Sequence, residues 1–338
     1  MPDTRTVNLL SLVLVLTLVS VSFLAVGSTA AQEAVEVSDP QELHEVRADL
    51  GGDYVLVNDI DMSDVAGFDP IGDRDDGFSG GFDGDGHVVE GMTVDRPEAD
   101  GVGLFGAVED GGTVENVGLE DADVTGGENV GGIAGFNAGN VTRSYVDGEV
   151  TATEERVGGV VGWNRHGLVA DSYSEAEVSG ASRVGGVAGW NTGTVERTYA
   201  VGEVSGTRIA GGLVGQLGSG QQRAGTEAAL RDSYWDTDTT GQSRAAGETR
   251  EGLAETTVEN VEGLSTDEMR GDGAAETMEA LVSSANWRTT DGYPALAWEA
   301  GVFDADGVPA PGFGLFVGVA SVVVASAFRL LTTAGSDR

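Results

Sequence analysis

The chain has 338 residues, with 54 glycines, no cysteine, and 56 acidic against 18 basic side chains, for a formal net charge of -38. A surface of that sign repels phosphate, which sets nucleic-acid binding aside, and a chain without thiols excludes a disulfide-stapled or thiolate-metal fold. With 40% hydrophobic residues it can offset the entropy of ordering, so it folds, and its glycine count favours many tight corners over helix packing.

Residues 1–31 carry one positive charge at Arg5, an uncharged and mainly apolar stretch from Leu9 to Val26, and small residues at Ser28, Thr29, Ala30 and Ala31. That order predicts a secretory signal peptide, with a retained N-terminal membrane anchor as the alternative. Residues 32–49 form a lead-in to the folded part.

From residue 50 to 240 the sequence repeats. VGGIAGFNAGNVTRSYVDGEV from Val130, VGGVVGWNRHGLVADSYSEAEV from Val157 and VGGVAGWNTGTVERTYAVGEV from Val184 align on one another. The repeat-defining glycines are Gly131, Gly132 and Gly135, then Gly158, Gly159 and Gly162, then Gly185, Gly186 and Gly189; a further copy opens at Gly211, Gly212 and Gly215. Within each copy apolar residues alternate in short runs broken by glycine, which predicts short strands and tight corners. One such strand cannot bury its apolar face alone, so copies stack at about 4.8 Å per coil, each strand pairing with its equivalents above and below. The predicted fold is all-β, a right-handed parallel β-helix (solenoid) of about seven coils, the hand following from the usual crossover rule.

After Tyr234-Trp235 the pattern stops. Arg244 to Glu262 is polar and aperiodic and is read as a loop; Ser265 with Glu268 fits a capping box, and Ala274 to Leu281 is the one helix predicted. Residues 241–300 are accordingly taken as a loop and C-terminal cap over the last coil, with apolar contacts from Trp287, Tyr293, Leu296 and Trp298. A linker, 301–312, leads to an apolar run from Leu315 to Phe328 within 313–338, read as a sorting or transmembrane segment that anchors the chain by its C-terminus.

Two resemblances add to this reading. Gly-Gly-Val-Val-Gly-Trp-Asn at 158–164 and its copies resemble the GLUG motif repeat of bacterial and archaeal surface proteins, as do the lead-in Tyr54 to Asp61 and the exit Ser233-Tyr234-Trp235-Asp236-Thr237. The resemblance implies a secreted or surface-displayed, adhesin-like β-solenoid and no known reaction. Pro311, Gly312 and Phe313 before the terminal apolar run resemble the PGF-type C-terminal sorting signal of halophilic archaeal surface proteins. That likeness implies cutting near the motif and transfer to a lipid anchor by an archaeosortase-like enzyme; a retained single-pass anchor is the alternative. The density of carboxylates without lysine fits a protein working in multi-molar salt, where the Debye length falls to roughly 3 Å and partners must be held by short-range contacts.

Candidate sites each have a structural alternative. Phe136, Trp163 and Trp190 share one repeat position and form an aromatic stripe suited to sugar rings, or else a ladder within the coil wall. Beside them Asn137, Asn164 and Asn191 fit turn-closing hydrogen bonds. Arg156, Arg183 and Arg208 make a basic column able to hold an acidic glycan, or else pair with acids such as Glu154 and Glu155. Asp83 with Asp85, and Asp236 with Asp238, sit in partial calcium loops that lack the closing glutamate, so no cofactor or metal is assigned and calcium is the one cation left open. His44, His87 and His166 are scattered, and no catalytic set can be assigned. Asn140-Val141-Thr142 is an N-glycosylation sequon. The sequence therefore predicts a non-catalytic cell-surface adhesin-like or envelope structural protein, anchored on the extracellular side. Its partners would be the cell envelope, glycans or surface proteins of other cells. A polysaccharide lyase or glycoside hydrolase on the same scaffold is the alternative.

Overall fold

The computed structural model describes residues 34–218, 227–250 and 255–299. The stretch 1–31 read as a signal peptide, the expected linker 301–312 and the segment 313–338, with Pro311, Gly312 and Phe313 of the expected sorting motif, lie outside the described residues.

The described chain is mostly β, a parallel β-solenoid of about seven turns. Each turn runs through four walls. The first carries the repeat Ala134–Asn137, Val161–Asn164 and Ala188–Asn191, paired in parallel so that Phe136 aligns with Trp163 and Trp163 with Trp190. The second wall follows a glycine corner, with Thr113, Asn140, Leu168 and Thr194 in one column. On the third wall Tyr145, Tyr173, Tyr199 and Tyr234 share a column, and on the fourth Val124, Val150, Val178 and Val204 do so.

Strand alternation sends one side chain in and the next out, so the interior is built of columns. Val114, Val141, Val169, Val195 and Leu230 are fully buried on the second wall, and Val130, Val157 and Val184 on the fourth. Parallel strands stacked this way bury their inner face against the coils above and below and against the facing walls, which is why the valines recur at the coil period.

Two kinds of corner hold the coil shape. At the entry to the first wall the glycines have no room for a side chain: a Cβ on Gly131 would lie 2.5 Å from the carbonyl of Ala134, and one on Gly162 would lie 2.4 Å from the backbone of Asn129. The repeat-defining glycines are thus required by close backbone approach. The corner between second and third walls is made without glycine. Asn116, Arg143, Asp171, Arg197, Asp232 and Asn260 all adopt positive φ, between 46° and 54°. Such a conformation costs roughly 1 kcal/mol or more for an L residue. Here it is offset by bonds between successive corners: Arg143 Nε donates to Asn116 Oδ1 at 2.7 Å, Arg197 grips Asp171 through two bonds of 2.9 and 3.0 Å, and Asn260 donates to Asp232 at 2.8 Å.

Four expectations from the sequence are corrected. First, the stretch read as a loop is solenoid: Ala246–Thr249 pairs with Val214–Leu217 and Glu255–Leu264 with Glu227–Asp236, so the coils continue past residue 240. The sequence hid this because only Val258 and Val261 mark an inward face there. Second, the N-terminus holds a helix, α1 (Pro40–Glu45), capped by Asp39, whose Leu43 is fully buried together with the following Val46. Third, the Ser265–Glu268 box forms, with Glu268 Oε2 accepting from Ser265 N and Oγ at 2.9 and 2.7 Å, but it closes a turn. The helix expected over Ala274 to Leu281 is present in two short pieces, α2 (Asp272–Thr277) and α3 (Glu279–Val282).

The largest correction concerns where this C-terminal segment sits. It lies along the third wall as a strap, on the outward tyrosine column, where the sequence placed it over the last coil. Tyr145, Tyr173, Tyr199 and Tyr234 share a second hydrophobic cluster with Met269, Ala274, Met278, Leu281, Trp287 and Leu296. The last coil is left with Val258, a residue of the inward column, 54% exposed.

Candidate contact faces

The first wall brings the aromatic and arginine candidates together. Trp163 and Trp190 are stacked with centroids 4.6 Å apart and planes 11° from parallel, and Phe136 lies 5.7 Å from Trp163. The guanidinium of Arg156 sits 5.6 Å from the Trp163 ring and 5.3 Å from Trp190, and that of Arg183 lies 5.7 Å from Trp190. Arg74 covers Phe136 at 4.8 Å in the same manner.

This geometry limits what the stripe can do. A ring that binds a sugar needs a free face, and the facing surfaces of Trp163 and Trp190 are spent on each other. Their N–H groups are used internally as well, Trp163 donating to Thr192 Oγ1 at 3.3 Å and Trp190 to Gly218 O at 2.9 Å. Ring edges and guanidinium groups are what the wall turns outward. The arginines are also paired: Arg156 with Glu128 at 2.9 Å, Arg183 with Glu155, and the more exposed Arg208 with Glu155 at 3.3 Å. Of these only Arg208 makes a surface pair, and a pair of that kind contributes about 0–1 kcal/mol. Arg165, which the sequence reading passed over, is exposed at the next turn with its guanidinium 5.8 Å from Trp163.

Asn137, Asn164 and Asn191 are fully buried and form a ladder. Asn137 Nδ2 donates to Asn164 Oδ1 at 3.0 Å and Asn164 Nδ2 to Asn191 Oδ1 at 2.9 Å. Asn137 and Asn191 also accept from the backbone two residues on, at Gly139 and Gly193, closing the corner. The turn-closing arrangement read from the sequence is what the side chains make.

The third wall carries the feature that sequence reasoning missed. Tyr145, Tyr173 and Tyr199 stack at 5.0 and 4.7 Å with nearly parallel rings, and the strap lays Trp298 on Tyr145 at 5.6 Å and Trp287 on Tyr199 at 5.6 Å. Polar atoms fasten it: Trp298 Nε1 to Arg143 O at 2.9 Å, Tyr199 hydroxyl to Pro294 O at 2.7 Å, and Tyr293 hydroxyl to Asp236 Oδ2 at 2.7 Å. At the end of the strap Glu299 accepts from the Tyr173 hydroxyl at 2.7 Å and from Leu296 N. Burial pushes its carboxyl up to about 7, with Glu175 and Glu120 adding to the rise and the two hydrogen bonds opposing it. The repeated dipeptide Ser/Thr-Tyr at 144–145, 172–173, 198–199 and 233–234 was the available signal.

The acidic clusters are occupied by the protein's own donors. Asp83 Oδ1 accepts from Asp85 N and Asn116 Nδ2, while Asp236 accepts from Asp238 N, Thr239 N, Thr266 Oγ1 and Tyr293. Among the described residues no group of three or more His, Asp or Glu side chains is arranged to hold a metal ion. The fourth wall carries Glu149, Glu177 and Glu203 around a shallow groove with Ser179 and Ser205. His44, His87 and His166 remain far apart in the chain and on different parts of the coil. Asn140 is exposed at the opening of the second wall, on the strand Asn140–Thr142 rather than in a loop.

The class defined by this architecture is the parallel β-solenoid. It shares its fold with a Bacteroides ovatus chain whose crystal structure is described as that of a candidate immunoglobulin A1 protease, with a TM-score of 0.58 and 21% identity over 79% of this chain and 93% of that one. In sequence it is 38% identical over 130 residues to halomucin of Haloquadratum walsbyi, covering 35% of this chain and 1% of halomucin. It is also 31% identical over 111 residues to a candidate Gly-rich membrane protein of Evansella cellulosilytica, covering 31% of this chain and 13% of that protein. The chain thus spans a small part of either relative's length. No family model matches it.

Proposed function

We propose that this protein is a non-catalytic surface solenoid of a halophile, exported and held at its C-terminus, which presents a regular wall for adhesion or for the architecture of the envelope. The observation that carries the reading is the similarity to halomucin over 130 residues, on a solenoid whose register continues from coil to coil. The first-wall strands pair coil on coil at matching positions, and such a face suits contact because it repeats one chemistry along an axis. GLUG-type repeats and PGF-type sorting by an archaeosortase-like enzyme belong to this proposal, as does a cell envelope or glycan partner met by the arginine and indole edges of the first wall.

A glycan-processing enzyme is the second reading, and the groove beside Glu149, Glu177 and Glu203 is where it would be sought, since carboxylates on neighbouring coils fall within the spacing that glycoside cleavage needs. Surface display is tested by treating intact cells with a protease that cannot enter them. Loss of the solenoid from intact cells is the predicted result; protection until lysis contradicts export.

A further inference from the structure

We propose that Asn140 is an N-linked glycan acceptor, carrying an oligosaccharide at the corner between the first and second walls. The inference rests on the reading that the protein is exported, and it adds a covalent modification to it.

The solenoid uses its asparagines, and Asn140 stands apart from them. Asn116, Asn129, Asn137, Asn164, Asn191 and Asn260 each spend the side-chain amide on a neighbouring coil or corner. Asn140 is exposed and, among the described residues, is held through its backbone, its N–H donating to Gly112 O at 2.9 Å. On the strand Asn140–Thr142 the burial pattern is exposed, buried, half-buried, so Val141 points into the core while Asn140 and Thr142 share the outer face. A sequon marks an acceptor that must be reached from solvent, and both its polar residues here stand on the solvent-facing side of the strand.

The position is rigid and open at once. A Cβ on the preceding Gly139 would meet Gly112 O at 2.2 Å, so the corner is packed backbone to backbone. The coil-mates of Asn140 are Thr113 on one side and Leu168 on the other, so no charged side chain flanks it in the column. Neither Thr113 nor Leu168 begins a sequon, which makes the acceptor a property of one coil and not of the repeat.

The donor class is an oligosaccharide activated as a lipid-linked phosphate ester. The bond from Asn140 Nδ2 to the anomeric carbon forms as the bond from that carbon to the phosphate oxygen breaks. The phosphate leaves with the electron pair, and the amide nitrogen gives up one proton.

The test expresses the full chain, with Asn140→Gln, Thr142→Ala and Thr142→Ser variants, in a halophilic archaeal host that performs N-glycosylation, and measures the mass of the peptide containing residue 140 together with accessibility on intact cells. The expected result is a saccharide mass increment on the unaltered chain and on Thr142→Ser, absent from Asn140→Gln and Thr142→Ala. An unmodified Asn140 on a chain displayed at the surface overturns the acceptor site alone. An unmodified chain retained inside the cell overturns the site and the export reading together. An increment that persists in Asn140→Gln places the sugar elsewhere and also overturns the site. Circular dichroism of each variant in molar salt confirms that it has folded.

Discussion

The indole Nε1 of Trp287 donates to Asp171 Oδ1 at 3.1 Å, joining the C-terminal strap to a corner of the solenoid laid down 116 residues earlier. Asp171 is nearly buried, stands at a positive-φ corner and is already gripped by Arg197. One carboxylate therefore fixes the backbone corner, the coil above it and the strap. Replacing Trp287 by alanine should cost about 3 to 5 kcal/mol through lost burial on Tyr173 and Tyr199. Phenylalanine keeps the ring and loses the donor, and should cost about 1.5 kcal/mol because Arg197 still holds the carboxylate. Denaturant titration in molar salt measures both; equal costs would mean that the donor lost in both variants accounts for the whole effect and the burial of the ring for none of it.

Docking of the strap should depend on pH through Glu299. Its carboxyl is raised from 4.5 to about 7 in the folded chain, so the neutral form favours the docked state. The stabilisation is complete below the unfolded value of 4.5 and is lost as pH rises towards 7. Glu175 is raised too, by burial and then by Asp147, and acts with the same sign. Hydrogen exchange of residues 287–299 at fixed molar salt should quicken, beyond the intrinsic dependence on pH, between about pH 5 and 7. The Glu299→Gln variant should flatten that extra dependence, and an unchanged profile would assign it elsewhere.

Asn164 sits in the middle of the buried ladder, donating to Gly167 O at 3.1 Å, Asn191 Oδ1 at 2.9 Å and Thr194 O at 3.0 Å. Substitution by leucine removes these donors and leaves buried acceptors unpaired, each worth about 1 to 3 kcal/mol. A fall in unfolding free energy of that size, read as a lower denaturation midpoint, is expected, whereas Asn140→Gln on the exposed corner should leave the midpoint in place.

The acidic surface carries its own prediction. If 56 acids are tolerated because salt screens them, lowering salt from molar to about 0.1 M should unfold the solenoid and abolish its β-signal in circular dichroism. A spectrum that does not change over that range would remove the halophile reading.

Much of this fold was legible because its constraints recur. Gly131, Gly158 and Gly185 sit where backbones touch, and valines such as Val130, Val157 and Val184 fill one inward column, so both appear as a period of 27 in the text. The second-to-third wall corner was not legible, since Asn116, Arg143, Asp171 and Arg197 take a conformation usually announced by glycine and announce it with asparagine, arginine or aspartate and no glycine. The strap was misplaced for another reason. Trp287 and Trp298 told of apolar contact, but Tyr145 and Tyr173 read as ordinary alternating strand residues, and alternation alone cannot say which parity faces out. In the same way the positions of Phe136, Trp163 and Trp190 were foreseen, while the stacking that occupies their faces required the coil spacing and ring planes.

The most direct test of the central proposal, contact without catalysis, is to incubate the full chain in molar salt with acidic and neutral polysaccharides and with envelope fractions, scoring retention and newly released chain ends in the same samples. Retention with no new ends is the predicted result, weakened when Arg165, at the turn that follows the first wall, is replaced by alanine. Release of new ends would contradict it and direct attention to Glu149, Glu177 and Glu203.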